Sequence, residues 1–471
     1  MGCITQIPVD ILIDIVSRLS LKEAAKTRAV SRRWKNLFKF YSGCLDFDAL
    51  DTIALIYMGK KRDRVELPKY IDWVNQVLAS HQAQTVEEFR VSFDLDNTYA
   101  GILDSWTCFA AAKRVHRLEL DLSPFRSRKT SLDEIYCFPT DLEWKALTSL
   151  VLNSVNVVEE QLLYLLSDCP VLEKLSVSRA PSLYNLRLRS PNNKLKHLGL
   201  ISCLGLEAIE VVSALNLFSF EYQGCRINML FKDVPQLSSV SLKWAPNVSC
   251  DLCEDLLITK FSQVPFSISQ LKTLALDLKL LVAMEFYLFP KTFSQFSNLQ
   301  QLELQFVALY EQSILFLCSF IHASPSLHKL VLKYTVCWES TELSMNREFW
   351  DDMLKFGDTT RQWVEGQKYN CCLKEVEFLG WIGLKSDVEF VMHLIEAAGP
   401  SLESLTLDTR DPSRVGRWKE LPLPRLEQMA KKVKYNLPGH PCEIATKEAA
   451  RNGARIVETK KLSPRTKLVL L

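Results

Sequence analysis

One short pattern recurs along most of this chain and leaves it few folds to choose from: apolar-x-x-apolar-x-apolar. Clear copies begin at Leu147 (LTSLVL), Leu172 (LEKLSV), Leu195 (LKHLGL), Leu271 (LKTLAL), Leu299 (LQQLEL), Leu327 (LHKLVL) and Leu402 (LESLTL). Weaker copies begin at Val86 (VEEFRV), Val115 (VHRLEL), Leu217 (LFSFEY), Leu237 (LSSVSL) and Leu373 (LKEVEF). The last four residues of each alternate with period two, the mark of a strand with one buried face. Most intervals are 25–34 residues, room for one strand and a helix or loop, as in residues 164–170 (YLLSDCP) and 315–325 (LFLCSFIHASP). One strand and its return cannot bury their apolar side alone, so such units must stack.

Stacked strand-and-return units of this length are the signature of leucine-rich repeats. About twelve inner strands at the usual 4.7–4.9 Å spacing predict a curved sheet roughly 50–60 Å long. Between Leu172 and Leu217 the strings come at half the spacing, with LYNLRL at Leu183 and LEAIEV at Leu206 between the main copies. These predict additional strands on the outer, convex side. The gap from Leu327 to Leu373 is too long for one repeat and predicts an insertion near 336–370. The expected fold class is therefore α+β: a small helical domain at 1–45, a solenoid of α/β repeats at 46–370 with some strands on both faces, a terminal repeat region at 371–424, and a basic tail at 425–471. Lys431, Lys432, Lys434, Lys460, Lys461, Arg465 and Lys467 make that tail read as a solvated end, with a nuclear signal as the other reading.

The leucines of each string fill the core, so the residues between them line the concave face. These include Arg117, Glu119, Lys174, Ser176, His197, Ser219, Glu221, Thr273, Gln301, Glu303, Lys329 and Glu377. Their mixed signs, and a net charge of +2, argue against a groove that tracks phosphates and for a protein-binding face. Arg117, Glu119, Lys174, His197, Glu221, Gln301, Glu303 and Lys329 are the candidate target contacts. The competing reading is that each is merely a solvated strand residue.

Residues 7–37 (IPVDILIDIVSRLSLKEAAKTRAVSRRWKNL) have a different rhythm. Pro8 suits an early helical position. Ile11, Leu12, Ile15 and Leu19 form a stripe at helical spacing. Ser20 and Glu23 are spaced as a capping box opening a second helix, and Ser31 can cap a third that carries Trp34, Leu37 and Phe38. Some forty residues without staples rarely hold a core of their own. Ile7, Val9, Ile13 and Val16 also fall outside the stripe, so part of this surface must be buried elsewhere. It packs either on the rest of the chain or on a partner.

This stretch resembles an F-box. The family's Leu-Pro-like opening is Ile7-Pro8, its central core is residues 11–22 (ILIDIVSRLSLK), and its closing signature is residues 30–34 (VSRRW). Ile7 departs from the usual leucine but keeps the apolar contact. The resemblance implies docking to a SKP-family adaptor and, through it, to a cullin-based ubiquitin ligase. Ile7, Pro8, Ile11, Leu12, Ile15, Leu19, Val30 and Trp34 would supply the contact or its support. Residues 371–409 similarly resemble the FBD region that follows the repeats in many plant F-box proteins, and their own pattern predicts strand, loop, helix, strand, with Val388, Val391, Met392 and Ile395 on the apolar face of the helix.

No constellation for catalysis is present in the sequence: no G-x-S-x-G, phosphate-binding loop, H-E-x-x-H or G-x-G-x-x-G. Fourteen cysteines in apolar settings such as Cys169, Cys203 and Cys318 read as reduced core residues of a cytoplasmic or nuclear protein. Cys250 and Cys253 form a lone C-x-x-C without a second ligand pair, and Cys371-Cys372 reads as structural. No apolar run is long enough to span a membrane, acidic Asp10 and Asp14 interrupt a signal-peptide reading, and Gln6 departs from the myristoylation pattern. The expectation is a non-catalytic adaptor of a ubiquitin ligase, without cofactor, metal, nucleic-acid or membrane partner, that binds a protein target. The alternative is a repeat scaffold whose N-terminal helices only cap the array.

Overall fold

The computed structural model describes residues 7–29, 32–57, 59–122, 134–189, 194–225, 227–244, 270–277, 296–309, 313–337, 372–398, 401–410, 442–459 and 466–471. The chain divides into two compact units, Met1–Gln236 and Leu237–Leu471.

The first unit opens with three helices, α1 (Val9–Ser17), α2 (Leu21–Thr27) and α3 (Arg32–Leu37). Pro8 stands just ahead of α1. The capping box of α2 is formed: the Glu23 amide donates to Ser20 Oγ at 3.3 Å and the Ser20 amide to Glu23 Oε2 at 3.1 Å. Ser31 lies outside the described residues. Strands β1 (Cys44–Asp48), β2 (Glu88–Ser92), β3 (Arg117–Asp121), β4 (Ser149–Asn153), β5 (Lys174–Ser178), β7 (His197–Ile201) and β9 (Ser219–Gly224) form a parallel sheet in that order. Their register aligns the string leucines into ladders, so Leu45, Phe89, Leu118, Leu150, Leu175, Leu198 and Phe220 lie side by side. All seven are buried. A single-residue slip would turn every one of them to solvent, which is why the register is sharply fixed.

Helices α4 (Leu50–Tyr57), α5 (Asp63–Ser80), α6 (Ala100–Ala112) and α7 (Glu159–Asp168) form the returns of the earlier repeats. Later returns are strands: β6 (Asn185–Arg189), β8 (Ala208–Val212) and β10 (Asn228–Lys232) make a second parallel sheet in the order β10-β8-β6. The half-spaced strings at Leu183 and Leu206 predict the first two of these; β10 is an addition. Ser154, Arg179 and Ser202, each directly after an inner strand, are left-handed at φ 56°, 55° and 55°. Their amides donate to strand-end carbonyls of the next repeat, Ser154 to Ser178 at 2.9 Å and Arg179 to Ile201 at 2.8 Å. These bonds hold a conformation that is otherwise unfavourable for a side-chain-bearing residue.

In the second unit, β11 (Ser239–Trp244), β12 (Thr273–Asp277), β13 (Gln301–Leu309), β14 (Lys329–Cys337), β15 (Glu375–Leu379), β16 (Ser404–Asp408) and β17 (Lys467–Leu470) pair in parallel in that order. Among the described residues its α-helices are α8 (Cys318–His322), α9 (Lys385–Ala398) and α10 (Cys442–Thr459). Two expectations are corrected here. The 425–471 segment, read as a solvated basic tail, ends in a helix and a strand that lengthens the sheet; its many lysines outweighed the apolar Leu468-Val469-Leu470. The buried face of α9 is Phe390, Val391, Leu394, Ile395 and Ala398, and Val388 and Met392 are only half-buried. Cys169, Cys203 and Cys318 are buried and free. Cys372 is exposed, while Cys250, Cys253, Cys371 and nearly all of the 336–370 insertion lie outside the described residues.

The α9 region contains two groups with opposed titrations. Asp387 is fully buried at the N-terminus of α9, where its Oδ2 accepts amides from Gly383 and Leu384, each at 3.1 Å. Burial pushes its carboxyl up to about 6. Burial, reinforced by His322, holds His393 down at about 4. A raised carboxyl makes the fold gain stability as pH falls through 6 toward 4; a lowered imidazole makes it lose stability over the same window. The two offset one another. An Asp387→Asn chain, whose amide oxygen still accepts both bonds, is therefore expected to lose stability more steeply than the wild type between pH 6.5 and 4. Denaturant midpoints across that range are the check.

Candidate functional site

Two surfaces are candidates for binding. The first is α1. On a helix, residues four apart share a face, and the expected stripe divides along that rule. Leu12 goes inward with Val16, and Leu21 and Ala24 of the neighbouring α2 are likewise buried. Ile11 and Ile15 point out and are 51% and 40% exposed, alongside Val9 at 46% and exposed Pro8. Ile7, Leu19 and Trp34 are half-buried, and Val30 lies outside the described residues. Leu12 is thus core support, and Val16, which the stripe omits, is part of that core. The outward face of α1 is an exposed apolar patch, the kind of surface that marks an interaction site.

This helix is fixed to the first repeat. The buried Tyr41 places its hydroxyl 2.8 Å from the Leu19 carbonyl and 3.0 Å from that of Cys44. The Ser42 amide donates to Ser17 Oγ at 3.0 Å. The Gln82 amide donates to the Lys39 carbonyl at 2.7 Å, and His81 Nε2 lies 2.7 Å from the Tyr41 carbonyl. Burial raises the Tyr41 phenol well above its ordinary value, so it stays neutral and its proton stays available to these carbonyls.

The second surface is the solvent-facing side of the strands. In the first unit, Arg117, Lys174 and His197 share one row with Glu88, Ser149 and Ser219; Glu119 and Glu221 share the next with Arg90, Val151, Ser176 and Gly199. Much of the charge here is internally matched. Arg117 pairs with Glu88 at 2.9 Å and Arg90 with Glu119 at 3.1 Å. Burial raises the Glu119 carboxyl despite Arg90. Burial, with Lys174 and Lys196 beside it, lowers the His197 imidazole. In the second unit, Gln301 and Lys329 share a row, with Glu303 in the next. Lys329 bridges Glu375 at 3.1 Å and Glu377 at 2.7 Å, and Lys333 pairs with Glu303. The ion-pair partners Glu88, Arg90 and Lys333 stand at the same alternating positions as the expected contacts and could have been found by that rule. Among the described residues, no group of three or more His, Cys, Asp or Glu is placed to hold a metal ion.

A family model for the At1g61320/AtMIF1 LRR domain matches residues 139–432, more than half of the chain. An F-box domain model matches residues 4–41, the segment that carries α1 to α3. The chain belongs to the plant-type F-box/leucine-rich-repeat family. The repeat match takes in the FBD-like stretch at 371–409. Relatives of this F-box/leucine-rich-repeat chain come from Arabidopsis thaliana. The F-box/LRR-repeat protein At3g58900 is 30% identical over 200 residues, 38% of this chain and 58% of that one. The putative F-box protein At3g58860 is 27% identical over 250 residues, 47% of this chain and 52% of that one. The putative F-box protein At3g44060 is 32% identical over 197 residues, 38% of this chain and 43% of that one. The chain thus spans about half the length of the curated relatives it matches.

Proposed function

We propose that this chain is the substrate-recognition subunit of a Skp-cullin-F-box ubiquitin ligase. The F-box helices dock a SKP-family adaptor, which joins a cullin, and the repeats hold a protein target for ubiquitination. Catalysis by such a subunit is proximity: it raises effective concentration and contributes no reacting group. The observation that carries the reading is the outward Ile11 and Ile15 face on an F-box helix anchored through Tyr41. The buried free cysteines fit the cytoplasm or the nucleus as its site of action.

The alternative scaffold reading also has an observation behind it, since α2 buries Leu21 and Ala24 and α1 bonds to Ser42. A cap alone, however, gives no role to the apolar side of α1 turned away from that contact. Full-length chain is expected to capture a purified SKP-family adaptor in a pull-down. Ile11→Ala with Ile15→Ala should weaken capture on the order of 100-fold, because each truncation removes about 1–2 kcal/mol of apolar burial on binding. The unfolding temperature should hold, since both positions are exposed and alanine suits a helix. Failure of the wild-type chain to capture the adaptor would sink the ligase reading.

A further inference from the structure

The row that begins the inner strands of the first unit carries Ser149, Lys174, His197 and Ser219 on β4, β5, β7 and β9. Lys174 is exposed and has no carboxylate partner among the described residues. The nearby acids are engaged elsewhere: Glu173 with Lys196 at 2.8 Å, Glu88 with Arg117 and Glu119 with Arg90. Around Lys174 the face is low, because Ser149, Val151, Ser176 and Gly199 present small side chains or none. A shallow pocket opens there between Arg117 and Lys174 over Ser149 and Val151, with Glu88 and Glu119, both already paired to arginines, on its far wall. Two strands along the sheet from Lys174, the turn entering β9 holds Leu215 and Phe218, which are 44% and 48% exposed. The Phe218 ring meets His197 edge-on, with ring centres 6.1 Å apart, and its amide is tied to the Lys196 carbonyl at 2.8 Å. An uncompensated cation therefore lies about 10 Å, two strand spacings, from an exposed aromatic on a fixed backbone.

We propose that this corner, Lys174 and His197 with Phe218 and Leu215, binds an acidic peptide segment of the target in which Asp or Glu stands two to four residues from a large apolar side chain. This rests on the reading of the repeats as the target-binding part. The carboxylate seats at Lys174, over the small residues, and the apolar side chain covers Phe218 and Leu215. Buried aromatics are the usual anchors of protein interfaces, and an unmatched charge beside one sets the sign of its partner.

The test is selection of a phage-displayed library of random 12-residue peptides on the full-length chain. Peptides recovered should be enriched in Asp or Glu two to four positions from Leu, Phe or Trp. Synthetic versions should lose at least tenfold in affinity when their acids become amides, and similarly against Lys174→Gln and against Phe218→Ala chains. All three losses are read on chains of unchanged unfolding temperature; the amide peptides test the charge rule on the wild type alone. Basic or uncharged winners, winners indifferent to both variants, or no winners at all would overturn the inference. Adaptor capture by the same preparation distinguishes failure of this corner from failure of the ligase reading.

Discussion

Replacing Gly43 with valine is expected to destabilise the first unit by about 3 kcal/mol or more, lowering its thermal midpoint by several degrees. The reason is contact with backbone. A Cβ on Gly43 would sit 2.0 Å from the Ser17 carbonyl oxygen at the end of α1, and 2.9 Å from the Tyr41 ring. Neither a helix carbonyl nor a fully buried ring has room to yield, so the chain entering β1 must move. That movement breaks the Ser42-to-Ser17 bond and takes the Tyr41 hydroxyl away from Leu19. Forced overpacking typically costs 1–3 kcal/mol, and loss of bonded partners adds to it. Gly101→Ala is the matched control: it lies in α6 with nothing within 4 Å of its added Cβ, and should be neutral or stabilise by up to about 1 kcal/mol. Calorimetry of the two variants against the wild type decides. A Gly43→Val chain as stable as the wild type would mean that the F-box helices are not seated on the first repeat.

That junction was also the least legible part of the sequence. Every one of the twelve strings from Val86 to Leu402 became an inner strand, because a leucine spacing that satisfies both pleat and ladder leaves little choice. The segment running into β1 reads Tyr41-Ser42-Gly43-Cys44-Leu45-Asp46-Phe47, one residue longer than the repeat string, so the first strand escapes the pattern and lies across the expected 45/46 boundary. The extra residue is the space in which Gly43 meets Ser17. At the other end, β17 lacks a leading apolar residue at the right spacing and sits among lysines, so composition pointed to solvent while the strand itself is four residues long. The candidate surfaces were half legible. Helical spacing groups Ile11, Leu12, Ile15 and Leu19 into one stripe, but periodicity does not say which edge of a stripe is buried; Leu12 lies inside with Val16, and Ile11 and Ile15 are left out. On the strands, alternation located the solvent-facing residues. It did not reveal that Arg117 and Glu119 are already paired and that Lys174 is not, because pairing depends on neighbours brought from 29 residues away.

Trp381→Ala is expected to release the C-terminal segment of the second unit. Trp381 is 1% exposed, its indole N–H donates to the Ala450 carbonyl of α10 at 3.0 Å, and its ring meets Phe378 of β15 with centres 5.4 Å apart. Truncating a buried tryptophan typically costs about 3–5 kcal/mol, and here it also empties the seat of α10. That helix packs through small residues, Ala450, Gly453 and Ala454, and approaches so closely that a Cβ on Gly453 would lie 2.7 Å from the Gly383 Cα. Gly453→Leu should therefore reproduce the effect from the other side of the contact, whereas Ile456→Ala, at a position 51% exposed, should change stability by less than about 0.5 kcal/mol. The strand β17 follows α10 and pairs along β16 from Ser404–Lys467 to Leu407–Leu470, with the Lys467 and Leu471 amides bonded to Glu403 and Leu407, each at 2.9 Å. With α10 unseated, this short edge ladder has little apolar burial behind it, and the segment should open locally ahead of the rest. Limited trypsin digestion reads this directly: cleavage after Arg451 and Arg455 is expected to be slow in the wild type and in Ile456→Ala, and at least tenfold faster in Trp381→Ala and Gly453→Leu. Equal rates in all four chains would return the segment to the status of a solvated tail.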